Sequence, residues 1–338
     1  MKNFLSVMSF LFLSACRTYD GPVSDHFDGK VFRNPWGPKD NSLVDVLRWK
    51  ILGDAAKDWP KWVENKPSPV IPSQYQTGDV SVTFVNHASF LISVGGVNIL
   101  TDPVWSERVS PFSFAGPKRV HEPGIGFEKL PKIDAVLVSH NHYDHMDVQT
   151  LQRLSERDKP SIFVPLGDKG WLGESGVQNI SELDWWDKRV LNDEVNIYFA
   201  PAQHWSARGV HDKNRSLWGS FLIEYKQKFI YIAGDTGYGP HFTLAAERFP
   251  NVQVALLPIG AYEPRWFMEY QHMNPDDTMK AFVDLKAEFG IGMHFGCWQL
   301  TDEARDEPGR AIGEIAQSMH VQDKFLVPEV GGTYRYSF

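Results

Sequence analysis

The alternation of apolar and polar residues predicts strands over much of the chain. The runs VSVTFV (80–85) and SFLISVGGVNILTD (89–102) alternate with a period of two, and Gly95 and Gly96 inside the second run predict a hairpin. Shorter runs rich in apolar and β-branched residues predict the remaining strands. These are expected at residues 136–139, 162–165, 182–190, 194–199, 220–225, 228–233, 254–258, 290–294, 324–327 and 333–336.

Helical spacing and capping residues predict the helices. Ser42 is a capping residue for a helix over 42–58, which Trp59 and Pro60 should end. Because strands come first in hairpins and later alternate with helices, the chain is predicted to be an α/β (α+β) layered protein. The other helices are predicted at 148–157, 243–248, 276–289 and 309–319.

Composition and charge limit the size of the core and the kinds of molecule that the protein is expected to bind. With 338 residues, 42% of them hydrophobic, the chain can bury a large core in one large domain or two modest ones. The formal net charge is −8, and the sequence contains no basic run. Since nucleic-acid binding depends on neutralising phosphates, this composition argues against nucleic acid as a partner.

The first sixteen residues, MKNFLSVMSFLFLSAC, combine a positive Lys2 with a short apolar run at 4–13. A membrane-spanning helix needs about 20 apolar residues, so this run predicts an export signal instead. Its Leu-Ser-Ala-Cys ending resembles a bacterial lipoprotein signal, which implies cleavage before Cys16 and a lipid on that cysteine. Arg17 then favours the outer membrane. The alternative is an ordinary secretory signal that is cleaved nearby without lipid.

The segment HNHYDH, at 140–145, follows the apolar strand predicted at 136–139 and carries the first candidate chemistry. It places His140, His142, Asp144 and His145 on one short loop. Imidazole and carboxylate suit zinc and related divalent ions. The alternative is a polar surface loop with incidental histidines, but three histidines and an aspartate packed this closely behind a strand favour a metal site.

Three further candidate ligands, His204, Asp235 and His294, each follow a segment that is predicted to be a strand. Any one of them alone could be structural. Ligands at strand ends can meet at one rim of a sheet, where α/β proteins commonly build their sites. Together with the loop they supply five histidines and two aspartates, which is enough for two metal ions bridged by a carboxylate, with a position left for water.

At these residues the chain resembles the metallo-β-lactamase fold and, more narrowly, the phospholipases D that hydrolyse N-acylphosphatidylethanolamine, with their bacterial lipoprotein relatives. The resemblance runs from about residue 27 to the carboxyl end and implies an αββα sandwich. The segment FGCWQLTDEARDEP, at 295–308, is only loosely similar, so no substrate role is inherited there. The motifs that carry the resemblance are PAQHW (201–205), LWGS (217–220), AGDTGY (233–238), PIGAYEPRWFM (258–268) and YQH (270–272).

The resemblance implies a role for each ligand in a centre that holds two Zn²⁺ ions, with Mn²⁺ and Fe²⁺ as other candidate metals. Asp102, in ILTDP, matches a strand-end aspartate that orients a histidine ligand, although position alone also allows a turn or cap residue. The first metal is assigned to His140, His142 and His204, and the second to Asp144, His145 and His294, with Asp235 bridging.

Two adjacent cations would lower the pKa of a bridging water, so that hydroxide is available near neutral pH, and Asp144 and Asp235 are placed to orient it. Tyr262, Arg265 and Trp266 are candidate substrate residues, with Arg265 pairing with phosphate. The alternative for that stretch is a packed loop with a structural arginine.

The expected function is that of a zinc-dependent, phospholipase D-like phosphodiesterase acting on a glycerophospholipid, with the membrane as partner through a lipid anchor at the cell envelope. The alternatives are a lactonase or other ester hydrolase on the same fold, and a non-catalytic lipid-anchored protein that binds metal or lipid. A proline-rich connector at 66–72 marks the predicted boundary. It separates the signal (1–15) and a tether with an N-terminal extension (16–72) from the catalytic domain (73–338).

Overall fold

The computed structural model describes residues 19–37, 41–53, 55–66 and 79–338. The predicted signal, Cys16 and most of the proline-rich connector lie outside these residues. In chain order the first elements are α1 (Leu43–Leu47), β1 (Asp79–Asn86), β2 (Ser89–Val94), β3 (Val97–Thr101), β4 (Ala135–Leu137), α2 (Val148–Arg157), β5 (Ser161–Pro165), α3 (Lys169–Glu174), β6 (Ile180–Leu183) and β7 (Lys188–Val190). They are followed by β8 (Val195–Ala200), β9 (Ser220–Tyr225), β10 (Lys228–Ile232), α4 (His241–Arg248), β11 (Val252–Pro258), α5 (Arg265–Met268), α6 (Pro275–Asp284), β12 (Phe289–Met293), α7 (Glu307–Ser318), β13 (Phe325–Leu326) and β14 (Thr333–Ser337).

The strands of the described residues form two sheets of seven strands each. The first has the order β14-β1-β2-β3-β4-β5-β6 and the second has the order β13-β12-β11-β10-β9-β8-β7. Both sheets are mixed, because antiparallel hairpins at one end give way to parallel strands at the other, as at β3-β4-β5 and β10-β11-β12. Parallel strands bring the loops after their carboxyl ends to a common edge.

The core lies between the two sheets, and a helical layer covers each outer face. Phe84 and Phe90 from the first sheet share one buried cluster with Phe199 and Phe221 from the second. Residues of α2 and α3 pack on the outside of the first sheet, and α4, α6 and α7 pack on the outside of the second. These four layers form an αββα sandwich, so the predicted fold class is confirmed.

Most predicted elements match the observed ones, but two of the predicted helices end early. The helix predicted over 42–58 has a capping box between Ser42 and Asp45, but α1 passes into a π-helical turn, Arg48–Leu52. It stops at Gly53, whose backbone is extended, and Trp49 is the buried residue of this turn. The helix predicted over 276–289 ends at Asp284, and the strand β12 already begins at Phe289.

The single strand predicted at 182–190 is two strands that belong to different sheets. β6 ends at Leu183 on the edge of the first sheet, and β7 begins at Lys188 on the edge of the second. The chain crosses between them through Trp185 and Trp186, and Trp186 has a φ of 74°. A continuous β-rich run in the sequence cannot reveal such a crossing, because both halves keep strand-like residues.

Residues 19–37 belong to the packed structure although they precede the sheets. Phe27 and Phe32 are 1% exposed and join the core between the sheets. The ring of His26 bridges Asp25 and Asp184, at 2.6 and 2.7 Å. Within the described parts of the chain, no helix has the length and apolar character that crossing a membrane requires.

Candidate metal centre

All seven predicted ligands meet at one rim of the sandwich. The loop carrying His140 to His145 follows β4, and the other three ligands follow β8, β10 and β12. Each of the seven is buried or nearly so, and His294, with a φ of 59°, turns sharply out of its strand. The structure therefore brings together residues that are up to 154 positions apart, counted from His140 to His294.

The first group consists of three histidines whose ring nitrogens face one another. His140 Nε2 lies 2.8 Å from His142 Nδ1, which lies 3.3 Å from His204 Nε2. His204 is held by its other nitrogen, because Nδ1 lies 2.9 Å from the carbonyl oxygen of Gln271. This orientation leaves Nε2 of His204 directed at the centre.

The second group places a carboxylate between two histidines. Asp144 Oδ2 lies 3.5 Å from His145 Nε2 and 3.4 Å from His294 Nε2. Asp102 accepts a hydrogen bond from His145 Nδ1 at 2.8 Å and two more from the backbone N–H and hydroxyl of Ser139. Asp102 therefore holds the imidazole of His145 with Nε2 facing Asp144, which is the contact expected of a residue that orients a ligand.

Asp235 lies between the two groups. Its Oδ2 is 3.2 Å from His145 Nε2, and its Oδ1 is 3.0 Å from His294 Nε2. Toward the first group, Oδ2 lies 3.9 Å from His140 Nε2 and 3.7 Å from His204 Nε2. A single carboxylate thus faces both groups, as a bridging ligand must.

The donor set fits two divalent cations of the zinc type. His145 Nε2 and His294 Nε2 are buried and face the carboxylate oxygens of the centre, but neither has a hydrogen-bond partner among the described residues. A buried polar atom left in this way costs about 1–3 kcal/mol, so such a cluster needs a compensating ligand. In a tetrahedral site with bonds of about 2.1 Å, neighbouring ligand atoms lie about 3.4 Å apart. The distances between 3.0 and 3.5 Å in the second group agree with that spacing.

In the second group, electrostatics favour charged carboxylates and protonated histidines, because the pKa of Asp144 and Asp235 is lowered and the pKa of His145 and His294 is raised. Burial raises the pKa of Asp235, but the positive charges of His145 and His294 outweigh burial and hold that pKa well below its usual range. Burial lowers the pKa of His294, yet Asp235 and Asp144 raise it to about 9. A cation that binds here must displace these protons, so its affinity falls as the pH falls.

The sequence interpretation missed two histidines of the centre. His87 occupies the turn between β1 and β2, and His272 follows α5, with Nδ1 3.9 Å from Asp235 Oδ2. His87 lies two residues after the strand predicted at 80–85, so the strand-end rule could have found it. His272 lies in the YQH motif, but no strand precedes it, and the sequence contains no signal that would have directed it to the centre.

The candidate substrate residues have different surroundings. Tyr262 is 5% exposed, whereas Trp266 is 40% exposed at the surface. Arg265 donates from Nη1 to the carbonyl of His272 at 2.8 Å and from Nη2 to Asp277 Oδ2 at 2.7 Å. The structure therefore supports the alternative of a structural arginine, because the guanidinium of Arg265 is used to hold His272 in place beside Asp235.

Comparison with known proteins agrees with this geometry. A family model described as "Beta-lactamase superfamily domain" matches residues 97–295. A Caenorhabditis elegans protein named "N-acyl-phosphatidylethanolamine-hydrolyzing phospholipase D 1" is 34% identical over 311 residues, which are 85% of this chain and 87% of the relative. The mitochondrial protein of the same type in Saccharomyces cerevisiae is 34% identical over 316 residues, 90% of this chain but 65% of its own length.

Solved structures agree in fold. A metallo hydrolase named Igni18, from Ignicoccus hospitalis, superposes with a TM-score of 0.58 at 23% identity, over 77% of this chain and 99% of its own. An isothiocyanate hydrolase from Delia radicum gut bacteria gives the same TM-score and identity, over 76% and 100%. At this identity the similarity concerns the fold alone, and a fold by itself does not identify a substrate.

Proposed function

The chain belongs to the metallo-β-lactamase superfamily and is homologous to phospholipases D over most of its length, and on that premise we propose that it is a phospholipase D-like phosphodiesterase with two zinc ions. Its substrates would be glycerophospholipids of the N-acylphosphatidylethanolamine type. The observation that carries the hydrolytic part is the position of Asp235 between two groups of histidines. The choice of phosphodiester rests on the relatives' names.

Two cations held by the two groups of ligands would supply Lewis acidity to the phosphoryl oxygens and would lower the pKa of water. Asp144 and Asp235 accept hydrogen bonds from the attacking water and orient its lone pair toward phosphorus. The water oxygen bonds to phosphorus, the bond from phosphorus to the ethanolamine oxygen breaks, and a proton from the water ends on that oxygen. The products are phosphatidic acid and an N-acylethanolamine.

An exposed apolar surface on the segment that packs against α5 supports an amphipathic substrate. Trp49 packs on Phe267 and Met268, and the guanidinium of Arg48 lies 5.0 Å from the ring centre of Trp266. In this segment Ile51 and Leu52 are 70% and 79% exposed. Exposed apolar residues grouped in this way are typical of a surface that meets a lipid membrane or another protein.

A substrate panel tests the proposed activity. Zinc-loaded protein incubated with vesicles containing N-acylphosphatidylethanolamine is expected to release phosphatidic acid and an N-acylethanolamine, both identified by mass spectrometry. Lactones and carboxylic esters serve as competing substrates in parallel reactions. If only a lactone is turned over, the protein is an ester hydrolase and not a phosphodiesterase. If two zinc ions are bound and no substrate is turned over, the protein is a binding protein.

We also propose that the protein is exported and held at the cell envelope, most naturally at the outer membrane, by a lipid on Cys16. In the expressing bacterium, the full-length chain should sediment with membranes, whereas Cys16→Ser should appear in the soluble periplasmic fraction. The physical reason is that acyl chains contribute about 0.8 kcal/mol for each CH₂ group buried in the bilayer. Equal membrane fractions for both chains, measured by immunoblot, would exclude the lipid anchor.

A further inference from the structure

His87 makes hydrogen bonds to two of the three ligands of the second group, Asp144 and His294. It occupies the two-residue turn between β1 and β2 with a φ of 42°, and it is 2% exposed. Its Nε2 lies 3.1 Å from Asp144 Oδ2. Its carbonyl oxygen accepts a hydrogen bond from the backbone N–H of His294 at 2.8 Å.

The direction of the side-chain hydrogen bond follows from the surroundings of the ring. Nδ1 has no hydrogen-bond partner among the described residues, whereas Nε2 faces a carboxylate oxygen of Asp144. A carboxylate oxygen accepts hydrogen bonds, so Nε2 of His87 carries the ring proton and donates a hydrogen bond to Asp144.

We propose that His87 is a positioning residue for the second metal site, where its Nε2–H holds the carboxylate of Asp144 and its carbonyl holds the backbone of His294. Both ligands are then oriented before a cation arrives. This inference rests on the two-metal centre of the proposed function, but it requires nothing about the substrate.

The first site has its own supports, which makes the expected effect selective. The hydroxyl of Ser139 lies 3.0 Å from His140 Nδ1, and the Gln271 carbonyl lies 2.9 Å from His204 Nδ1. Loss of the imidazole at position 87 therefore removes a contact to Asp144 and leaves these contacts in place. Removing a partner that orients a metal ligand typically weakens metal binding by about 10–100-fold.

Zinc titration against a competing chelator tests the inference without any substrate. The wild-type chain is expected to bind two equivalents. His87→Phe should bind the first equivalent as tightly as the wild type and the second about 10–100-fold more weakly. His87→Gln keeps an N–H donor at nearly the same reach, so it should restore most of the second affinity.

His121→Phe is the matched control, because His121 is also a buried histidine, 1% exposed, but its Nδ1 bonds the Glu122 carbonyl away from the centre. It should bind both equivalents normally. Unchanged affinity of His87→Phe for the second zinc ion would overturn the inference. If His87→Gln binds the second ion as weakly as His87→Phe does, the inference also fails, because His87 would then be a direct ligand. If His87→Phe does not fold, as judged by circular dichroism of the metal-free protein, His87→Leu takes its place.

The outcome separates this inference from the proposed function. A wild-type chain that binds two equivalents but hydrolyses no lipid would contradict the proposed activity and leave the comparison of variants valid. Normal lipid hydrolysis together with two tight equivalents in His87→Phe would contradict the role of His87 alone.

Discussion

Asp235→Asn is expected to lower lipid hydrolysis by about 1,000-fold or more and to reduce bound zinc from two ions to one or fewer. The two oxygens of Asp235 lie 3.0 Å and 3.2 Å from histidine nitrogens of the second group, and one of them also faces the first group. The amide of asparagine has the same shape but only one neutral acceptor oxygen. Its NH₂ group would take the place of the other oxygen and face a histidine Nε2. The variant thus removes the only carboxylate that joins the two groups among the described residues.

The measurement combines turnover on N-acylphosphatidylethanolamine with elemental analysis of the purified variant. Asp284→Asn is a suitable control, since Asp284 accepts a hydrogen bond from Tyr238 on the surface and lies outside the centre. It should retain both zinc ions and nearly full turnover. Wild-type turnover in Asp235→Asn, with two ions bound, would contradict the bridging role.

Removal of metal by a chelator is expected to abolish hydrolysis and to lower the melting temperature. A ligand that binds only the folded state at about 1,000 times its Kd contributes about 4 kcal/mol to the free energy of unfolding. For a chain of 338 residues the unfolding entropy is about 0.7 kcal/mol per degree, so the melting temperature should fall by about 6 °C. Calorimetry with and without zinc measures the shift, and readdition of zinc should restore both properties.

The zinc-dependent shift should be smaller at pH 6 than at pH 8. In the metal-free protein the neighbouring carboxylates raise the pKa of His294 to about 9, so this imidazole keeps its proton more fully as the pH falls. Zinc must displace that proton, and its contribution to stability is therefore lost on acidification. Asp235→Asn should also show a smaller zinc-dependent shift in melting temperature at pH 8.

Full hydrolysis by protein whose zinc has been removed completely would contradict the metal mechanism.

The role of Arg265 depends on neighbours, His272 and Asp277, that its local sequence did not identify. Next to Trp266 and Tyr262, a guanidinium was a reasonable partner for phosphate. In the folded chain it pairs with Asp277 and donates to the backbone of His272. Its effect on catalysis is therefore expected to pass through the position of His272 and not through direct contact with substrate.

The sequence by itself determined the local parts of this protein. Alternation with a period of two depends only on which residues face a core, so most strands were predictable, as was the layered class. The ligands His140, His142, Asp144 and His145 share one loop, and His204, Asp235 and His294 each follow a strand. A cluster of ligands on one loop and a ligand just after a strand can each be recognised within a few consecutive residues, where the spacing in the sequence determines the local geometry.

Tertiary structure decided which of these segments touch. The crossing at Trp185 and Trp186 assigns β6 and β7 to different sheets, although the sequence reads as one strand. His87 reaches Asp144, 57 positions away, only because the β1–β2 turn lies at the same rim as the loop after β4. The physical reason is that periodicity records burial, whereas hydrogen-bond partners depend on strand order and register, which short-range patterns do not encode.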